Sequence, residues 1–82
     1  MTQQEILAQL NVIFCQVFND DTLVLTPAST AADIEEWDSF NHINIIVAAE
    51  AHFKIRFKSA ETEALRNVGD FIELIDAKVK AR

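Results

Sequence analysis

The sequence predicts a small all-α domain, and three observations carry that expectation. Apolar residues recur at helical spacing in three separate stretches, and Thr2, Asp38 and Asn67 stand before them as helix starters. The one alternating segment, "FKIRFK", is too short to build a sheet alone. With 82 residues, half of them hydrophobic, the chain has material for one core and reads as a single domain over 1–82.

The first helix opens at Thr2, which with Glu5 fits a capping box. Ile6, Leu7, Leu10, Ile13, Phe14, Val17 and Phe18 then cover an arc of roughly 140° on a helical wheel, which makes one buried face. Cys15 falls just beyond that arc and reads as a packing or surface residue rather than a nucleophile. From Asn19 to Asp38 the periodicity disappears into turn formers and the only proline, so this stretch reads as a long loop. Its scattered Leu23, Val24, Leu25 and Ile34 are expected to pin it across the helices, with room for a short helical turn after Thr26-Pro27.

Ser39 to Phe53 reads as a helix of about four turns with Asp38 as its N-cap. Its apolar residues form two arcs, Phe40, Ile43, Val47 and Ala51 on one side and Ile45, Ile46, Ala49 and Phe53 roughly opposite. Either both arcs are sandwiched in the core, or the second meets a partner or ligand. "FKIRFK" follows as an extended connector, and Ser59 to Arg66 as a short helix or turn. Asn67 caps a last helix with Val68, Phe71, Ile72, Ile75 and Val79 in register, and Lys78, Lys80 and Arg82 complement its negative end. Gly69, in its first turn, looks like a tolerable weakness.

A formal charge of −6, from 13 acidic against 7 basic residues, argues against nucleic acid, which needs clustered cations. A lone cysteine forms no internal disulfide, and no apolar run approaches the length that spans a bilayer, so the expected setting is the cytoplasm without membrane insertion. His42 and His52 are about 15 Å apart on one straight helix and cannot share a metal ion, and Asp20-Asp21 lacks the pattern of a calcium loop.

His42 lies one turn after Ser39, which raises a serine and histidine nucleophile pair. A chain with one glycine offers no obvious turn for an oxyanion hole, so hydrolysis is not expected. Asp33, Glu35, Glu36 and Asp38 also crowd Ser39, and deprotonating a hydroxyl beside those charges is unfavourable. Ser39 therefore reads as a better acceptor for another enzyme's chemistry than as a nucleophile of its own.

"DSF", followed by Ile43, Asn44 and Ile45 and then "AAEAHFKIRF", resembles the Asp-Ser-Leu segment of acyl carrier proteins. The resemblance implies a small four-helix bundle, three main helices plus one short, with a long first loop. It implies that Ser39 bears 4′-phosphopantetheine, transferred from coenzyme A by a phosphopantetheinyl transferase, with Asp38 near the phosphate and the modifying enzyme's metal. The protein would then be a monomeric, non-catalytic carrier of acyl or polyketide thioesters, serving acyl-loading, acyl-transfer and condensing enzymes. Phe40, Ile43, Val47 and Glu50 would meet those partners; Ile45, Ile46, Ala49 and Phe53 would face the core; and Ile46, Leu65 and Val68 would border the acyl chain or its groove. Departures from the pattern are Phe40 for leucine, Glu36 where glycine is common, and Asn41 and Asn44 at positions often acidic. They point to a specialised pathway rather than bulk fatty-acid synthesis. The competing readings are an aminoacyl or peptidyl carrier, and a helical interaction module without a prosthetic group that docks through Phe40, Ile43 and Val47.

Overall fold

The computed structural model describes residues 1–81. Four helices run in the order α1 (Gln3–Phe18), α2 (Ser39–Phe53), α3 (Ser59–Glu63) and α4 (Val68–Ala81). There is no strand among the described residues.

α1 begins as the sequence dictates. The Glu5 N–H donates to Thr2 Oγ1 at 3.1 Å while Glu5 Oε1 accepts from the Thr2 N–H at 2.9 Å. It ends at Asn19, whose φ of 54° is left-handed. The Asn19 and Asp20 N–H groups then donate back to the Gln16 and Cys15 carbonyls, closing the helix as a Schellman motif.

Ile6, Leu10, Ile13, Phe14 and Phe18 of α1 meet Ile45, Ala49 and Phe53 of α2 and Val68, Phe71, Ile72 and Ile75 of α4 in one apolar core. α1 packs against both long helices, and α3 contributes no buried residue. α3 is shorter than Ser59 to Arg66, so Leu65 lies in the following loop and Val68 opens α4. Ile55 is buried and Phe57 half-buried, with Phe57 tilted against Phe71 at 5.7 Å, so the connector closes the lower end of the core.

The first loop is pinned by Leu25 and Ile34, but Val24 is 78% exposed and pins nothing. Alternation explains the correction: Leu25 turns inward, so its neighbour in an extended segment turns outward. Trp37 is the third anchor, and Asn11 of α1 is a fourth. Asn11 accepts from the Leu25 N–H through Oδ1 at 2.6 Å and donates to the Leu23 carbonyl at 3.1 Å, the two bonds a neighbouring strand would make. Thr26-Pro27 starts a single turn, closed by the Ser29 N–H on the Thr26 carbonyl, rather than a helix.

Gly69 sits close against the first loop. Its N–H donates to the Pro27 carbonyl at 2.8 Å, and a Cβ there would lie 3.0 Å from that same oxygen. The Val68 N–H donates to the Ser29 carbonyl at 2.9 Å, so the start of α4 docks directly on the first loop. Asn67 Oδ1 caps the Asp70 N–H at 2.8 Å as expected. Lys78 and Lys80 occupy the last turn of α4, and Arg82, grouped with them in the sequence, lies outside the described residues.

Candidate functional site

The approach to α2 is built on Trp37. Its ring is 7% exposed and packs edge-on against Phe14 at 5.1 Å, which anchors the end of the first loop in the core. Asp38 follows in an extended conformation and caps α2, its Oδ1 accepting from the Asn41 N–H at 2.8 Å. The Asn41 side chain donates to the Glu36 carbonyl at 2.9 Å, a bond that an aspartate at this position would be unable to make. Glu36 has no positive φ, so this turn places no demand for glycine on that residue.

Those anchors leave Ser39 exposed as the first residue of α2. No hydrogen bond joins it to His42 or to any other side chain among the described residues. His42 Nδ1 accepts instead from the Trp37 indole N–H at 3.0 Å. The Ser39 and Phe40 N–H groups, two of the four that every helix start leaves open, have no acceptor among the described residues. A hydroxyl without a neighbouring base, at the positive end of a helix dipole, suits an anionic group installed on it by another protein.

Beside Ser39 opens a cleft of about 810 Å³ between α2, the end of the first loop and α3. Trp37, His42 and Ile43 line one side, with Thr62, Leu65 and Arg66 on the other. From the rim of the cleft an apolar stripe runs along α2, with Phe40, Ile43 and Val47 at 74%, 63% and 59% exposed. The opposite arc is inside: Ile45, Ala49 and Phe53 are buried and Ile46 is partly so. Of the two readings of this helix, the structure therefore has one arc in the core and one on the surface.

The remaining residues singled out in the sequence are divided between surface and core. Glu50 is half-buried, and its Oε2 accepts from the Phe57 N–H at 2.8 Å, so part of its carboxylate holds the connector in place. Leu65 is half-buried at the rim of the cleft, and Val68 is fully buried in the core. His52 Nε2 lies 2.6 Å from Gln9 Oε1 of α1, whereas His42 is engaged by Trp37. The sequence reading missed Trp37, although a large apolar residue just before a capped helix is the usual signal for an anchor of the entering chain.

The fold is thus a helical bundle with an exposed serine at the tip of α2, a cleft beside it and an apolar stripe along the same helix. The chain is 30% identical over 81 residues to an acyl carrier protein of Thermosynechococcus vestitus, covering 99% of this chain and the whole of that relative. It is 31% identical over 75 residues to an acyl carrier protein of Acidothermus cellulolyticus, covering 92% and 89% of the two chains. Its structure matches the solution structure of a holo acyl carrier protein from Geobacter metallireducens with a TM-score of 0.86 and 48% identity, over 92% of this chain and 86% of that one. No protein-family model matches. The chain belongs to the acyl carrier protein family. Its members are non-catalytic carriers with a 4′-phosphopantetheine prosthetic group, and they work with a phosphopantetheinyl transferase and acyl-handling enzymes.

Proposed function

We propose that Ser39 is the attachment point of 4′-phosphopantetheine and that residues 1–82 form one carrier domain, acting as a monomer in the cytoplasm. The observation that carries this reading is the exposed, unpartnered Ser39 hydroxyl next to the Asp38 cap at the start of α2. In the modification, Ser39 Oγ forms a bond to the β-phosphorus of coenzyme A, the adenosine bisphosphate leaves, and the hydroxyl proton passes to a base of the transferase. Asp38 serves two roles, as helix cap and as a carboxylate close to the transferred phosphate. Once bound, the group supplies a thiol for the thioester of the cargo. The chain's own residues present that arm and recognise partners.

Phe40, Ile43 and Val47 are the partner face in this reading, and Glu50 adds what charge it does not spend on the Phe57 N–H. Asn41 and Asn44 are bonded to each other, at 3.2 Å, where this face would otherwise carry acid. Little charge is left for a basic partner patch, which supports acyl or polyketide delivery in a dedicated pathway rather than bulk fatty-acid synthesis. Ile46 and Leu65, both partly buried, and the buried Val68 are the residues taken in this reading to border the acyl chain, with Leu65 lining the cleft beside Ser39.

Intact mass after incubation with coenzyme A and a promiscuous transferase should rise by one phosphopantetheine, and Ser39→Ala should abolish the gain while leaving the melting curve within about 0.5 kcal/mol of wild type. No gain in the wild-type chain rejects the assignment. A general fatty-acid ketosynthase that elongates the acylated protein as fast as its own carrier rejects the dedicated pathway.

A further inference from the structure

Trp37 and His42 form a pair with a chemical consequence of its own. An indole N–H donates and never accepts, so the His42 nitrogen 3.0 Å from Trp37 Nε1 must be the unprotonated one. The two ring planes are 20° apart with centroids 6.1 Å apart, an edge-to-edge arrangement in which the indole N–H meets the in-plane lone pair of Nδ1. In the neutral ring the single proton then resides on Nε2, which points away from Trp37. Trp37 has little freedom to release it, being buried and packed against Phe14.

His42 stands three residues after Ser39, on the same face of α2, and helical side chains lean back over the turn before them. Its ring, held by Trp37 on the side of the helix start, lines the same cleft as Ser39. Nε2 has no partner among the described residues. The other charged walls of the cleft are Asp38, Glu63 and Arg66, and Arg66 already gives its Nε–H to Asp70 at 3.1 Å. A neutral N–H donor beside the modified serine is thus supplied by one residue and fixed by another.

We infer that His42 donates from Nε2 to the phosphodiester of the arm on Ser39, and that Trp37 sets the tautomer that makes this possible. The inference rests on Ser39 being the attachment point. A hydrogen bond from a fixed ring to a phosphate oxygen is charge-assisted and directional. It orients the first atoms of the arm over the cleft, so His42 is a positioning residue and Trp37 positions it in turn.

The test uses isotope-labelled full-length protein before and after modification, with intact mass confirming the modification. Long-range nitrogen spectra should show the Nε2–H tautomer of His42 in both forms, with the Nε2 resonance shifting on modification. The phosphorus resonance should move in His42→Phe and stay near wild type in His42→Gln, whose amide keeps a donor close to the place of Nε2. Trp37→Phe should mix the tautomers and move the phosphorus signal part of the way. His42 resonances identical before and after modification, or a phosphorus signal indifferent to His42→Phe, overturn the inference and leave the carrier reading intact. A missing mass gain removes both together. If a variant does not fold, the wild-type comparison decides alone.

Discussion

The starts of α2 and α4 face the same physical problem and answer it in opposite ways. At α4 each of the first four N–H groups has an acceptor: the carbonyls of Ser29 and Pro27 for Val68 and Gly69, and Asn67 Oδ1 and carbonyl for Asp70 and Phe71. At α2 the Asp38 side chain takes the Asn41 N–H and its carbonyl takes the His42 N–H, while those of Ser39 and Phe40 stay open. Helix starts need such partners when they are buried and tolerate their absence when water reaches them. One start is closed to hold the first loop against the bundle, and the other is left open under an exposed serine.

The comparison breaks most visibly at Gly69. Alanine within a helix normally stabilises by about 0.5–1 kcal/mol over glycine. Here its Cβ meets the Pro27 carbonyl at 3.0 Å and Asn67 Oδ1 at 3.2 Å, both acceptors of the closed start. Gly69→Ala should therefore destabilise by about 1 kcal/mol in urea titration, because displacing the loop weakens the bonds of the Val68 and Gly69 N–H groups to Ser29 and Pro27. A rise in stability would show that the loop is held elsewhere.

At α2 the larger effect belongs to Asp38. Asp38→Ala should cost about 1 kcal/mol through loss of the cap, and Asp38→Asn much less. If the carboxylate also serves the modification, Asp38→Asn should melt like wild type yet be modified more slowly. Equal rates would reduce Asp38 to a cap.

Asn41→Asp sets a lost bond to the Glu36 carbonyl, about 1 kcal/mol, against a gain of roughly half that from negative charge in the first turn. A net loss of about 0.5 kcal/mol is expected in thermal melts.

The smallest effect is acid sensitivity. The Lys78 ammonium and the Lys58 N–H hold Glu61 below the usual carboxylate range, as Arg66 does for Asp70 and the Thr2 groups for Glu5. A carboxylate lowered on folding stabilises fully above its unfolded value, near 4, and the contribution is lost as pH falls through the lower folded value. Melting temperatures should fall between about pH 5 and pH 3, less steeply in Lys78→Ala because only the Lys58 contact then remains at Glu61.

Much of the site could be read from residues alone because its signals are local. A capping box at Thr2, a cap at Asp38 and the spacing of Ile45, Ala49 and Phe53 all act within a turn or two of chain. What escaped were contacts across the long first loop. Asn11 holding Leu23 and Leu25, Gly69 against Pro27, and Trp37 against Phe14 link residues that have no periodic relation to each other. Leu65 was included in the short helix, which ends at Glu63, because a helix of five residues leaves too little pattern to mark its end.

By itself the sequence determined the three long helices, their N-caps and the serine at the tip of α2, since each follows from backbone hydrogen bonding and side-chain spacing over neighbouring residues, whereas which arc of α2 is buried waited on the packing of α1 against it. Only the tertiary structure decided which helix start is closed and which is open. It also turned His42 from a possible base for Ser39 into the acceptor of the Trp37 indole, with its remaining N–H free for the cleft. Those outcomes depend on where a twenty-residue loop crosses the bundle, and that is settled by the apolar surface it buries rather than by any local preference.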